Sequence, residues 1–191
     1  MTMTRQNFKI GRKLMKEIEL MNALNGIVID RKELMQLEKE MISKAIKYLK
    51  GNVGHLVVIA YEETAELQQT LTKVVRGKGN RISILEEYVD VLLSIKYMSM
   101  VYNLNIDIYK KYKSDEKFDA MKVCHQLSEL QKDIYRAIEG EVAPLKPRCI
   151  KTLRVLTNVK KEFDLTNEEI DKIMFAKIKR LSNRIENKEL I

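Results

Sequence analysis

Glycine and proline are scarce in this chain, seven and two among 191 residues. A β-sandwich or barrel needs a turn signal every ~8–12 residues, which so few glycines cannot supply. The Gly-rich strand-to-helix turns of nucleotide-binding βαβ folds are missing too: neither G-x-G-x-x-G nor G-x-x-x-x-G-K-[ST] occurs. There is no Trp, and no aromatic cage for a base is readable. Two Cys (Cys124 and Cys149) and two His (His55 and His125) make neither a disulfide framework nor a zinc site of standard spacing. Any metal must then be a hard one held by carboxylates. The longest uncharged stretch, Gly51 to Tyr61, falls far short of the ~20 residues of a membrane helix. The first twenty residues are charged throughout and carry no apolar signal core, so a cytoplasmic protein without membrane contact is expected.

What is present is helix-forming and basic. Hydrophobic residues make up 45% of the chain and charged residues 32%, enough apolar content to bury a core. The net charge is +8, and its distribution is uneven. Val142 to Lys161 contains six bases (Lys146, Arg148, Lys151, Arg154, Lys160 and Lys161) and no acid. Nucleic acid, a nucleotide or an acidic face of the protein itself would each suit such a run.

The breakers divide the chain into helical blocks. Asp30 to Glu33 reads as a capping box, opening a helix to about Leu49 that Gly51 and Gly54 stop. A second helix is expected over 55–75, ending at Gly77-Lys78-Gly79-Asn80. Ser83 to Glu86 reads as the capping box of a third, reaching about Leu104. Further helices are expected over 116–139, up to Gly140, and from Pro147 through Lys161. Thr166-Asn167-Glu168-Glu169 caps the last. Residues before Asp30 are helix-prone.

The chain also repeats itself. A shift of 63 lays Ala60 to Gln68 over Val123 to Gln131, and Gly77 over Gly140; a shift of 61 lays Tyr102-Asn103-Leu104 over Phe163-Asp164-Leu165. The expectation is one all-α domain over 1–191. It comprises N-terminal helices in 1–50, a first hairpin in 51–113, and a second hairpin with a basic C-terminal helix in 114–191. Each hairpin needs the other to cover its apolar face, so a four-helix-bundle core follows.

Two acidic pairs stand out, Glu63-x-x-Glu66 and Glu87-x-x-Asp90. Leu56, Ala60, Glu63, Leu67, Leu71 and Val74 form one core-facing stripe, and Glu87, Val91, Ser94, Met98 and Val101 form another. Spacing i, i+3 puts each pair on one helix face. A hairpin turning at Gly77–Asn80 brings the pairs level to within roughly 9 Å at ~1.5 Å per residue. Carboxylates converging from two helices make an oxygen cage for Mg²⁺ or Mn²⁺. A solvated salt-bridge face is the alternative reading.

These residues resemble a known family. Lys44 to Tyr48, Tyr61-Glu62-Glu63-Thr64-Ala65-Glu66-Leu67, Thr72 to Lys78 and Leu85-Glu86-Glu87-Tyr88-Val89-Asp90-Val91-Leu92 look like the MazG-like all-α NTP pyrophosphohydrolases, especially versions carried by phages and Gram-positive bacteria. The family motif is E-E-x-x-E followed, across a short loop, by E-x-x-D. The resemblance covers about residues 40–110, and Lys177 to Ile185 looks like the family's basic C-terminal helix. It implies Mg²⁺- or Mn²⁺-dependent cleavage of a (d)NTP to monophosphate and pyrophosphate, with a homodimer as the expected assembly. The implied metal ligands are Glu63, Glu66, Glu87 and Asp90. Glu62 and Glu86 sit beside the ligands, and each reads either as orienting the attacking water, Glu62 with Glu63, or as an ordinary surface acid, the reading preferred for Glu86 as a cap-box residue. Lys73, Arg76, Arg81, Lys177 and Arg180 are candidate phosphate contacts; for Lys73, Arg76 and Arg81 a solvated basic face is the equal alternative.

The second repeat departs from the motif. Glu63 corresponds to Gln126 and Glu66 to Glu129; the 61-residue shift sets Arg148 and Lys151 against Glu87 and Asp90, the 63-residue shift Ile150 and Leu153, and either way the acidic cage is lost. It resembles the unequal halves of the dimeric dUTPases. Arg148 and Lys151 read either as a solvated basic face or as bases near the acids, pairing with Glu87 or Asp90 or reaching the triphosphate. The rival reading is a catalytically reduced helical protein that binds nucleotide or nucleic acid through the basic run.

Overall fold

The computed structural model describes residues 26, 28–49, 54–114 and 116–187, and in them the protein is all-α. Six helices occur among these residues and no strand: α1 (Arg31–Tyr48), α2 (Gly54–Val75), α3 (Arg81–Val101), α4 (Ala120–Ile138), α5 (Leu145–Glu162) and α6 (Asn167–Glu186). The helix-prone segment 1–25 lies outside the described residues. No helix among those described is long and apolar enough to cross a membrane.

Helix α2 packs on α3 and on α4, α4 packs on α5, and α5 on α3, which closes a cycle of four helices. The remaining two, α1 and α6, pair with each other and both lie on α3. That makes α3 the most enclosed element. Its buried residues include every position from Ile84 to Val89 and from Val91 to Ile95. The expected stripes are buried at Leu56, Ala60, Leu67 and Leu71 on α2 and at Glu87, Val91, Ser94 and Met98 on α3. Each such Leu removed from water stabilises the fold by about 1.5–3 kcal/mol before cavity terms.

The helix ends follow from local chemistry. Asp30 caps α1 by accepting from the Lys32 backbone N–H at 2.7 Å. The cap of α3 is Asn80, which accepts from Ile82 N–H at 2.9 Å, and not Ser83. Asn80 directly follows the Gly77–Gly79 turn, so the helix has begun before Ser83 is reached. Glu86 consequently sits well inside α3 and is buried, correcting its assignment to the surface.

The aligned positions of the two repeats adopt the same caps. At the end of α2, Gly77 has φ +66° and Lys78 N–H reaches back to Lys73 C=O. At the end of α4, Gly140 has φ +98° and Glu141 N–H reaches back to Arg136 C=O. Both are Schellman motifs, which need a residue at positive φ. Asn103 after α3 (φ +50°) and Asp164 after α5 (φ +48°) form a second matched pair, with Leu104 and Leu165 closing the equivalent bonds. Gly79 is needed for a different reason: a Cβ there would lie 2.2 Å from Val74 Cγ2 and 2.8 Å from Val74 Cα.

The α2–α4 contact shows how the repeats are related. Gln68 donates to Cys124 C=O at 2.7 Å, and Gln131 donates to Tyr61 C=O at 3.3 Å. Under the 63-residue shift Gln68 becomes Gln131 and Tyr61 becomes Cys124. The two bonds are therefore one bond and its pseudo-two-fold mate, the signature of an isologous contact, here within a single chain.

Long-range ion pairs tie the outer helices down. Arg31 holds both oxygens of Asp171 at 2.7–3.0 Å, joining α1 to α6. Arg81 donates to Phe163 C=O, Asp164 C=O and both oxygens of Glu169, joining α3 to the α5–α6 connection. Glu169 also completes the capping box with Thr166 that the sequence announces. The Arg81 hydrogen bond, and then those from Thr166, hold the Glu169 carboxyl down at about 2. A carboxyl depressed in the folded state stabilises above its ordinary value and loses that contribution as pH falls toward the folded value. Thermal melts should therefore show wild type losing stability between about pH 5 and pH 2, with a flatter acid limb for Glu169→Gln.

Candidate metal centre

Helices α2 and α3 bring Glu63, Glu66 and Glu87 together. One carboxylate oxygen of each lies within 4.8 Å of the others. The i, i+3 spacing sets Glu63 and Glu66 on one face of α2, and the hairpin across Gly77–Asn80 lays Glu87 of α3 against them. Glu87 is buried, Glu63 half-buried and Glu66 exposed, so the cluster runs from the core to the surface.

The negative charge there is crowded. Glu63 is pushed up to about 8, first by burial, then by the charges of Asp90 and Glu66, with Lys177 opposing and Glu87 adding. At neutral pH such a carboxyl keeps a proton or is neutralised by a cation. An all-oxygen donor set at this separation suits a hard divalent ion such as Mg²⁺, and the residues present fit one.

Asp90, the fourth expected ligand, is placed differently. It lies one turn beyond Glu87 and is ion-paired to Lys177 of α6, outside the group of three. Lys177, a candidate phosphate contact by sequence, is here the counter-charge at the edge of the acidic cluster. Spacing along the chain does not reveal this role, because 87 residues separate the pair. Tyr97, which no motif singles out, also stands close. Its hydroxyl is pushed up by burial and then by Asp90, Glu38 and Glu63. The one signal for it in the sequence is its position two turns beyond Asp90 on the same helix face.

The other candidates are scattered. Glu62 and Arg76 are exposed at α2 and its end, and Lys73 is half-buried and donates to Gln69 at 3.4 Å. Arg180 is exposed one turn beyond Lys177. Arg81 is engaged by Glu169 and two backbone carbonyls. Cys124 and Cys149 are buried free thiols.

Arg148 follows none of the readings offered for it: it is neither solvated on a free face nor near the acids of the first hairpin. It pairs with Glu129 at 3.0 Å and with Asp133 at 2.8 Å, both in its own hairpin, and not with Glu87 or Asp90. Gln126, the counterpart of Glu63, donates to Thr152 at 3.2 Å. The second repeat thus has a guanidinium where the first has Glu87, and it neutralises Glu129, the counterpart of Glu66. Lys151 is exposed.

No protein-family model, curated protein or solved structure matches this chain.

Proposed function

We propose that this protein is a divalent-cation-dependent nucleoside triphosphate pyrophosphohydrolase, converting a (d)NTP to the monophosphate and pyrophosphate. The observation that carries the reading is the convergence of Glu63, Glu66 and Glu87 within 4.8 Å on two helices of one hairpin. The order E-E-x-x-E then E-x-x-D, in the pattern of the MazG-like enzymes, supports the choice of reaction. Glu63, Glu66, Glu87 and Asp90 would hold Mg²⁺ or Mn²⁺, which supplies charge neutralisation for the triphosphate and acidifies a water. Without that neutralisation these carboxylates would repel the substrate.

The remaining roles belong to side chains around the cluster. Glu62 lies one turn before Glu66 on the exposed face of α2 and can accept a proton from water. Lys177 places positive charge beside Asp90, with Arg180 one turn on, and Lys73 and Arg76 lie at the far end of α2. Arg81 is left out of the phosphate set because Glu169 engages it. The competing reading, a protein that only binds nucleotide or nucleic acid through the basic run, is weakened at Arg148, which Glu129 and Asp133 hold, and leaves the Glu63–Glu66–Glu87 convergence without a role. The expected homodimer would add a second contact to the pseudo-two-fold one already made by α2 and α4.

A screen of (d)NTPs with Mg²⁺ and added inorganic pyrophosphatase, read by phosphate release, finds the best substrate. Chromatography of that reaction without the added enzyme should show the monophosphate and pyrophosphate. A nucleoside diphosphate as the sole nucleotide product would refute the proposed bond cleavage.

A further inference from the structure

A cavity of about 410 Å³ opens between α3, α5, α6 and the connection after α3. It is separate from the acidic cluster: none of Glu63, Glu66, Glu87 and Asp90 lines it. Its α3 residues, Tyr88 and Leu92, are rotated by about 100° from Glu87 and Val91.

The charge around it is one-sided. Six cations line the cavity: Arg31, Lys110, Lys111, Lys113, Lys160 and Lys161. The single carboxylate in the lining, Asp171, already has both oxygens held by Arg31. Among the described residues, none of the five lysines has a carboxylate within ion-pair distance. Two are positioned by neutral groups: Lys160 donates to the Asn167 side chain and Lys161 to Ser114 C=O at 3.2 Å. Lys160 is held below the ordinary lysine range by burial and by the charge of Arg31, with Asp171 opposing and Lys111 adding.

The floor has a different character. Leu92, Leu153, Ile170 and Met174 line it, with Tyr88 alongside. Concentrated positive charge around a concavity favours an anion there, and lysines serve phosphate as point charges. The apolar floor favours a body that water solvates poorly. The volume falls in the ~300–1,000 Å³ range of small-molecule sites, the size of a monomeric ligand.

We propose that this cavity binds an organic phosphate of mononucleotide size, its phosphate at the lysine rim and its flat apolar body on the Leu92–Met174 floor. The site stands apart from the proposed hydrolase centre, so it stands or falls independently of that reading.

The test is calorimetric titration of the full chain in EDTA, which keeps divalent ions off the acidic cluster. The probes are AMP, GMP, CMP and UMP, with adenosine and inorganic phosphate as fragments. At least one monophosphate should bind one per chain, about tenfold or more tighter than inorganic phosphate or adenosine. Lys111→Gln combined with Lys160→Gln should weaken that ligand by about tenfold or more. Lys111→Gln alone, at an exposed position, should weaken it about threefold and carries the test should the double variant fail to fold. The ligand should also protect Lys160 from acetylation, read by mass spectrometry. Three results would each overturn the proposal: no monophosphate binds, inorganic phosphate binds as tightly as the best monophosphate, or affinity is unchanged in folded lysine variants.

Discussion

Glu87→Gln and Glu63→Gln should each cut turnover of the best (d)NTP by at least about 100-fold, with far-UV circular dichroism unchanged. Both substitutions keep side-chain volume and helix propensity, so the fold has no reason to change. What each removes is one anionic oxygen from a group of three held within 4.8 Å. The two variants should also differ from wild type in EDTA. Glu63 is raised from its ordinary 4.5 to about 8, so the folded state binds its proton more tightly than the unfolded chain. A raised carboxyl adds no penalty below its unfolded value; the penalty grows as pH climbs to the folded value. Wild type without divalent ions should therefore lose thermal stability between about pH 4.5 and pH 8, and Glu63→Gln should remove that slope. Adding Mg²⁺ should raise the Tm of wild type at pH 8 and leave the Tm of Glu63→Gln nearly where it was. Retained wild-type turnover in both variants would end the assignment of the cluster as a metal centre.

Arg148→Met should lower stability by about 2–4 kcal/mol, roughly 5–15 °C in Tm for a chain of this size. The Asp133 side chain is 3% exposed and the Arg148 side chain 22%, so deleting the guanidinium strands a carboxylate with little access to water. Arg136 also approaches Asp133, but only to 3.7 Å. The lower end of the range reflects Glu129, whose side chain is 30% exposed and regains solvation readily. Methionine fills most of the arginine stem's volume, so lost packing contributes little. Making the partners neutral as well, with Glu129→Gln and Asp133→Asn, should recover most of the loss, because the cost lies in the unpaired charges. Turnover per folded molecule should stay near wild type, since Arg148 contacts neither Glu87 nor Asp90. A stability change under 0.5 kcal/mol, about the scale of an ordinary surface substitution, would show that the pair carries no such weight.

Most of the helices are legible in the amino-acid sequence alone. Few glycines and prolines, apolar stripes at helical spacing, and the stops at Gly77 and Gly140 define α2 to within a residue and α4 at its C-terminal end; α4 itself begins at Ala120, capped by Asp119, four residues later than the expected 116. The Thr166–Glu169 box is present as written. These signals act over one or two turns, and no distant group competes with them. The repeat is legible too, as matched stops in an alignment; that it is a pseudo-two-fold appears only in the reciprocal Gln68 and Gln131 bonds. Where two local signals compete, at Asn80 and Ser83, the one nearer the turn becomes the cap and Glu86 moves into the interior.

The candidate site divides along the same line. Glu63, Glu66 and Glu87 can be placed together from i, i+3 spacing and one short hairpin, because a helix and a tight turn transmit position rigidly over that distance. Packing between distant helices decides the rest. Asp90 is drawn to Lys177, Arg148 to Glu129 and Asp133, Arg81 to Glu169, and Arg31 with Lys111 and Lys160 line one cavity. A lysine or arginine side chain reaches several ångströms in any direction and pairs with whichever carboxylate tertiary packing brings near. Charge pattern along the chain therefore determines that such pairs form, and only the packed helices decide which ones.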